Sequence, residues 1–266
     1  MNIGFLGTGE IATKLVTGLC TSDTPPDRVF LSPRNTERAQ MLAEKFNQVH
    51  VASNNQSVVD ESECLFLSIR PHLMEKVLCP LRFRNNQKIV SLLAGIRLLE
   101  LRSCVTQAKK LLRSAPLPYN SRHIGPIVLY PGDQEVEKLF SGIGRVVTVE
   151  SERELDILTA VTSLMVPYYR LIQETVMWAE QLGMAREQAV SYTAEMFQSL
   201  SLLIKEEKTD DFDALLEKYT TKGGLNELAL KTILNEDGYT PWKKALVAVQ
   251  GRLGLEKAST DALDGK

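Results

Sequence analysis

Six residues near the start of the chain, Gly7-Thr8-Gly9-Glu10-Ile11-Ala12, restrict its architecture more than any other feature. They form a GxGxxA placed directly between a short apolar run, Asn2 to Leu6, and an amphipathic stretch, Ile11 to Leu19, whose Ile11, Leu15, Val16 and Leu19 share one helical face. Each motif position answers a physical requirement. Gly7 permits a tight turn, Gly9 lets the backbone come close to a pyrophosphate, and Ala12 allows a helix to pack closely on a strand. The first-turn amides of such a helix lack intrahelical partners and face the phosphates. The motif therefore predicts a strand, loop and helix that bind a dinucleotide. A glycine turn without a ligand is the alternative that six residues alone leave open.

The next 140 or so residues continue the same grammar of short apolar runs alternating with amphipathic stretches, as expected of parallel strands joined by crossover helices. Strands are predicted at Arg28 to Ser32, Val49 to Ala52, Cys64 to Ile69, Lys88 to Leu93, Lys110 to Ser114, Ile127 to Tyr130 and Arg145 to Val149, with a helix at Thr36 to Phe46. Cys64 to Ile69 is apolar nearly throughout, as a strand buried on both faces must be. After Glu150 strand signals stop and helical spacing runs to about Lys257, broken at Pro167, Gly183, Thr220 to Gly224 and Gly238 to Pro241. Pro167 should interrupt the stretch Glu152 to Leu182, because proline lacks the amide donor and clashes with the preceding turn. The expected architecture is α/β: a Rossmann-like dinucleotide-binding domain over residues 1–150, then an all-α domain over 151–266 whose polar tail, from Ala258, frays.

Composition narrows the function classes. With 44% hydrophobic and 24% charged residues the chain has the balance of a soluble globular protein. A net charge of -2 gives no general attraction to nucleic acid or anionic lipid, so neither is an expected partner. No signal-peptide pattern opens the chain and no apolar run approaches about 20 residues, which points to a cytoplasmic protein. Cys20, Cys64, Cys79 and Cys104 form no CxxC pair and are expected as reduced thiols; His50, His72 and His123 have no metal-ligand spacing, so no metal is expected. At the end of the second strand stands Ser32-Pro33-Arg34-Asn35, with no carboxylate for a ribose 2′-hydroxyl. A guanidinium there suits a 2′-phosphate, which favours NADP(H) over NAD(H), unless Arg34 is a solvated loop residue.

Several segments, in order, resemble the pyrroline-5-carboxylate reductase family. They include IGFLGTGEIA with Gly18-Leu19 after it, Asn55, the LFLSIRP segment where the family has a strand ending in Lys-Pro, and Ser91 to Ile96, similar to the family's SIAAGI. Arg113 with Pro116, Tyr130-Pro131-Gly132, Gly183-Met184, Arg186 to Ala189 and the Thr221-Lys222-Gly223-Gly224 loop continue the likeness. The family reduces a cyclic imino acid to proline with NADPH or NADH. The resemblance implies that Gly7, Gly9, Glu10, Ile11 and Ala12 hold the pyrophosphate. Ser32, Arg34 and Asn55 would lie along the adenosine, and Ser68, Arg70, Pro71 and Ala94 near the nicotinamide half. It also implies a homodimer through interleaved helices, with each site at the junction of one subunit's nucleotide domain and the partner's helices.

The departures gather where a small-molecule substrate is expected. The family's SGSGPAY turn is Thr162 to Tyr168 here, with Ser163 and Met165 in place of two glycines, which makes Met165 and Val166 candidate substrate contacts. Its PGGTT loop is Lys222-Gly223-Gly224-Leu225-Asn226, and its MPN is Ala115-Pro116-Leu117. Gly223, Gly224 and Leu225 are further substrate candidates, and Thr221 and Asn226 the catalytic ones. Asn226 can donate through its amide but cannot relay a proton as a hydroxyl can. Lys222 attracts an acidic substrate or is simply solvated, and Glu174 reads as a solvated or salt-bridged helix residue. Little acid-base machinery is needed in either case, because a protonated imine already carries its activating charge and the protein has to position it and exclude water. A different imine or keto substrate, or dinucleotide binding without turnover, are the competing expectations.

Overall fold

The computed structural model describes residues 1–108, 110–207 and 210–255; the tail from Ala258 lies outside them. The chain forms two compact units, Met1–Thr159 and a second that begins at Ala160.

In the first unit the elements run β1 (Asn2–Leu6), α1 (Glu10–Cys20), β2 (Arg28–Leu31), α2 (Thr36–Lys45), β3 (Val49–Val51), α3 (Asn55–Glu61), β4 (Cys64–Leu67), α4 (Met74–Leu78), β5 (Lys88–Ser91) and α5 (Leu98–Arg102). They continue with β6 (Lys110–Ala115), β7 (Pro126–Tyr130), α6 (Gln134–Ser141), β8 (Arg145–Thr148) and the start of α7 (Glu152–Thr162). The strands make one sheet in the order β3-β2-β1-β4-β5-β6-β7-β8. Strand order reverses at β1, with β2 on one side and β4 on the other, which opens a crevice at their carboxyl ends.

β1 and β4 are buried on both faces because apolar residues alternate between two cores. Ile3, Phe5 and Phe66 belong to one, Leu6, Leu65 and Leu67 to the other. Phe5 and Phe66 stack at 4.8 Å, and each such buried ring contributes roughly 1.5–3 kcal/mol. α3 packs so closely on β1 that a Cβ at Gly4 would stand 2.2 Å from Ser62 Oγ. β2 and β4 stop at Leu31 and Leu67, short of their expected ends, because Ser32 and Ser68 turn their hydroxyls to the loop after β1. The expectation of parallel strands needs one correction: β7 is antiparallel to β6, and β8 runs with β7. Residues 116–125 hold only a short 3-10 turn, Pro118–Arg122, too little for the crossover that a parallel pairing requires.

Two buried ion pairs tie the sheet to its surroundings. On β5, Lys88 Nζ meets Asp133 Oδ1 at 2.6 Å and Glu135 Oε2 at 3.0 Å. Burial works against the charge on Asp133, but the hydrogen bond from Lys88 and the Val136 amide outweigh it and hold the carboxyl below its usual range. On β6, Arg113 is 3% exposed; its Nη2 donates to Asp156 Oδ1 at 2.7 Å and its Nη1 to Glu152 Oε1 at 2.9 Å. Leu155 joins Val128 and Val149 in a small apolar cluster beside it. These contacts attach the first turns of α7 to the sheet, and the division between units falls inside that helix, after Thr159, past residue 150 where strand signals end.

The cysteines depart from expectation. Cys79 and Cys104, 25 positions apart, form a disulfide, where four reduced thiols were expected. Sequence spacing gave no sign of it, because the pairing is made by the ends of α4 and α5 meeting in the core that holds Leu78, Leu101 and Cys104. Cys20 and Cys64 remain free, and burial pushes both thiols up to about 12.

The second unit holds α8 (Met165–Gln181), α9 (Arg186–Glu207), α10 (Phe212–Tyr219), α11 (Leu225–Asn235) and α12 (Thr240–Arg252). Pro167 interrupts the long stretch as expected: α7 ends at Thr162 and Pro167 sits in the first turn of α8, where its missing amide costs nothing. By length and hydropathy Glu152–Gln181 meets the requirement for a membrane span. It is nonetheless broken at residues 163–164, and carries Asp156 bound to Arg113 and an Arg170–Glu174 ion pair. α8 and α9 pack together, with Tyr168 edge-on to Phe197 and Val176, Ala189 and Thr193 buried. α10, α11 and α12 bury no residue, and Trp178, Leu182, Tyr192 and Leu225 are 63%, 71%, 72% and 84% exposed.

Removing one partner of a buried ion pair leaves the other charge desolvated and unpaired. Arg113→Ala is therefore expected to cost about 3–5 kcal/mol in urea unfolding, with a loss of α7 anchoring. A cost below about 1 kcal/mol, the range of a surface pair, would contradict the role given to Arg113.

Candidate functional site

The crevice at the carboxyl ends of β1, β2 and β4 contains a cavity of about 660 Å³. It is lined by residues of the first unit alone. Gly7, Thr8 and Gly9 form its floor after β1, Ser32 and Arg34 to Glu37 come from the segment after β2, Asn55 opens α3, and Ser68 to Arg70, His72, Leu73 and Val77 follow β4.

Glycine is required at Gly7 on two counts: φ is +99°, and a Cβ would stand 2.7 Å from Ser68 O. Gly7 is gripped from both sides. Its amide donates to Ser32 Oγ at 2.9 Å, and Ser68 Oγ donates to its carbonyl. Thr8 Oγ1 adds a bond to Ser32 O at 3.1 Å. Gly9 serves a different purpose. It caps α1 with extended backbone and no side-chain hydrogen bond, and a Cβ there would meet only Ser68 O, at 4.0 Å. The space beside it belongs to the cavity, and the first-turn amides of α1 are left without a capping side chain.

These features fit an extended nucleotide. The helix N-terminus supplies free amides and a favourable dipole for bridging phosphates. Arg34 is exposed and has no ion-pair partner among the described residues, whereas Glu37, in the first turn of α2, is the carboxylate on the same wall.

Of the residues expected along a cofactor, the cavity brings together Gly7, Gly9, Ser32, Arg34, Asn55, Ser68 and Arg70. It does not include Glu10, Ile11, Ala12, Pro71 or Ala94 among its lining residues. Glu10 pairs instead with Arg38 at 3.0 Å and Lys14 at 3.9 Å, and Ala12 is fully buried, as close packing of α1 on the sheet demands. Ser68 donates its hydroxyl hydrogen to the Gly7 carbonyl, whereas Ser32 Oγ accepts from the Gly7 amide and keeps its own hydrogen. Sequence reasoning missed Thr8, Asn35, Thr36, Glu37, Ile69, His72, Leu73 and Val77. Thr8 lies inside the motif, and Asn35 carries the signal of a helix cap, which it is: its side chain accepts from Arg38 N. His72 to Val77 offered no signal, because a 3-10 turn and a five-residue helix leave no periodicity to read.

In the second unit, Thr221, Gly223, Gly224, Leu225 and Asn226 come together where the loop after α10 enters α11. Gly223 has φ +75°. The donors of this loop are largely spent within it. Gly223 N donates to Glu227 Oε2 at 2.7 Å, Gly224 N to Thr221 O at 2.8 Å, and Asn226 Nδ2 to Tyr219 O at 3.0 Å. The hydrogen bond from Lys231, followed by that from Gly223, holds the Glu227 carboxyl below its usual range. Met165 and Val166 open α8, the latter 67% exposed, and Lys222 is exposed.

Two family models match the chain: "NADP oxidoreductase coenzyme F420-dependent" over residues 2–95, and "Pyrroline-5-carboxylate reductase dimerisation" over residues 152–253. The chain is 25% identical over 240 residues to the pyrroline-5-carboxylate reductase of Pseudomonas aeruginosa, covering 86% of this chain and 87% of that protein. Its fold is similar to that of 1-pyrroline-5-carboxylate reductase from Streptococcus pyogenes, with TM-score 0.82 and 23% identity, over 95% of this chain and 98% of the other. The structure of Plasmodium falciparum pyrroline carboxylate reductase with NADP bound gives TM-score 0.80 at 16% identity, over 95% and 97% of the two chains.

The two glycines of the loop predict different phenotypes. Gly9→Ala puts a methyl into the cavity and is expected to weaken NADPH binding about 5- to 100-fold with Tm unchanged, as an overpacked contact does. Gly7→Ala forces a left-handed backbone against Ser68 O and should lower stability by about 1–3 kcal/mol as well. Fluorescence titration and thermal melts separate them; full NADPH affinity in Gly9→Ala would contradict the assignment.

Proposed function

We propose that this chain, which belongs to the pyrroline-5-carboxylate reductase family, is an NAD(P)H-dependent oxidoreductase that reduces the C=N bond of a cyclic imino acid. The observation that carries the reading is the clamped Gly7 with Gly9 open onto the cavity, at the point where strand order reverses. The first-turn amides of α1 hold the pyrophosphate, and Ser32 and Ser68 act through Gly7 by fixing the loop. Arg34 takes the 2′-phosphate, so NADP(H) is preferred; Asn55 lies along the adenosine. Arg70, Pro71 and Ala94 lie toward the nicotinamide half.

When bound, the nicotinamide supplies the hydride. The chain's own task is to orient the imine, keep water away and leave the proton on nitrogen, so that hydride addition to carbon yields a secondary amine with no further proton transfer. Thr221 and Asn226 are the candidate catalytic groups of the substrate loop. Asn226 spends one amide hydrogen on Tyr219 O and keeps a second donor. Met165, Val166, Gly223, Gly224 and Leu225 shape the space around the ring. The matched dimerisation segment and the exposed Trp178, Leu182 and Tyr192 support a homodimer through the helical domain. The reading needs a small-molecule substrate, no nucleic acid and no membrane, and goes with a cytoplasmic enzyme.

A second reading, a reductase of a different imine or keto compound, is favoured by Met165 and Leu225 at positions of smaller family residues. Purified protein mixed with NADPH and pyrroline-5-carboxylate is expected to oxidise the cofactor. Turnover only with other imines or keto acids favours the second reading, and a melting shift without any turnover a binding protein. In Arg34→Ala the Kd for NADPH should rise about 10- to 100-fold, the worth of charge-assisted hydrogen bonds, with little change for NADH. Equal losses for both would overturn the NADP(H) preference.

A further inference from the structure

We infer that the Cys79–Cys104 disulfide is a regulatory modification site: exchange with a dithiol opens it, and opening it weakens dinucleotide binding by releasing one wall of the cofactor cavity. The inference rests on the reductase reading above, which supplies the ligand. Placement carries it. The segment after β4 runs through the 3-10 turn Pro71–Leu73 into α4, and His72, Leu73 and Val77 of this stretch line the cavity. Cys79 caps the C-terminal end of α4, two residues past Val77, and is bonded to Cys104, just beyond α5. No residue of α5 lines the cavity. The disulfide therefore fastens the far end of a cavity wall to an element outside the cavity.

That wall depends on its attachments. A three-residue turn and a five-residue helix are too short to persist on their own hydrogen bonds. Met74 and Leu78 are its buried side chains, while Pro71, His72, Glu75 and Lys76 are exposed. A cross-link between positions 25 apart in sequence restricts its freedom to open. The two sulfurs are unequally placed for exchange: Cys79 is exposed, whereas Cys104 is 6% exposed. A thiolate of the dithiol attacks Cys79 Sγ, the S–S bond breaks, and its electron pair leaves on Cys104 Sγ, which then takes a proton from water. The second thiolate of the reagent attacks the mixed disulfide and releases Cys79, which is protonated in turn. The protein pair thus gains two electrons and two protons, and the dithiol is oxidised to a disulfide. The Ser103 hydroxyl, bonded to Glu100 O at 2.7 Å, also lies 3.9 Å from Cys104 Sγ and can turn to the departing thiolate. Cys20 and Cys64 do not compete as nucleophiles, because burial pushes both thiols up to about 12 and keeps them protonated. In the reducing cytoplasm that goes with the reductase reading, a disulfide is more often a redox sensor or a catalytic group than a permanent staple.

The test equilibrates the full-length wild type, Cys79→Ser and Cys104→Ala with mixtures of reduced and oxidised dithiothreitol. It reads free thiols after quenching and unfolding, NADPH affinity by fluorescence, and amide exchange over residues 71–79. The oxidised wild type is expected to show two thiols, Cys20 and Cys64, and the reduced form all four. Reduction should speed exchange at Leu78 and Cys79 and raise the Kd for NADPH about 3- to 10-fold, as when the binding-competent wall falls to about a third to a tenth of the population. Reciprocity adds a signature that a merely structural cross-link lacks. Saturating NADPH should raise the ratio of reduced to oxidised dithiothreitol at half-reduction by the same factor, about 3- to 10-fold. Both variants should bind NADPH like the reduced wild type and ignore dithiothreitol; Cys79→Ser, at an exposed position, decides the matter if Cys104→Ala fails to fold. A pair that dithiothreitol leaves intact in the folded protein, four thiols under oxidised dithiothreitol, or equal NADPH affinity of the two forms would each overturn the inference and leave the reductase reading standing. A wild type that binds NADPH in neither form removes the reading and the inference together.

Discussion

The two hydrogen bonds that hold Gly7 in a left-handed turn are the constraint on which the functional half of the molecule depends. Ser32 Oγ accepts from its amide and Ser68 Oγ donates to its carbonyl, so the segments after β2 and β4 grip the loop after β1 from both flanks. A Cβ at Gly7 would collide with the Ser68 carbonyl, which is why the loop can be this tight. The grip fixes where α1 begins, and thereby directs its unpaired amides into the crevice made by the reversal of strand order. Ser32 and Ser68 bear on the crevice through Gly7, whose position they set.

Electrostatics divides along the same lines. Buried charges are paired and structural: Lys88 with Asp133, and Arg113 with Asp156, stitch α6 and α7 to the sheet. The cavity wall instead carries exposed cations, Arg34 and Arg70, that form no ion pair among the described residues. An arginine left unpaired at a built cavity is available to an anionic ligand, whereas one in a buried pair is not. The helical unit has a different deficit. Its α10, α11 and α12 bury nothing fully, and large apolar side chains stay at the surface, more than a closed core leaves exposed.

Much of this was legible in the residues. The glycine motif fixed the first strand, loop and helix, doubly buried strands showed as unbroken apolar runs, and Pro167 marked the break between α7 and α8. What escaped depended on contacts between distant segments. β7 reverses direction because residues 116–125 are too short for a crossover, which strand propensity does not register. The first turns of α7 stay with the sheet through Arg113, although their spacing is purely helical. Cys79 and Cys104 meet only because two short helices end in one apolar core. At the cavity, the glycines were readable from the motif and Arg34 from the end of the second strand, whereas Thr36, Glu37, His72 and Leu73 become wall residues only once strand order is known.

The central claim is that backbone amides at the start of α1 cradle a dinucleotide's bridging phosphates. Amide hydrogen exchange across Gly7 to Ala12, with and without saturating NADPH, addresses it without assuming any substrate. The account predicts marked slowing at Gly9, Glu10 and Ile11, with smaller effects on distant elements of the sheet. Saturable NADPH binding that leaves exchange at those amides unchanged would contradict it, by showing that the nucleotide sits elsewhere.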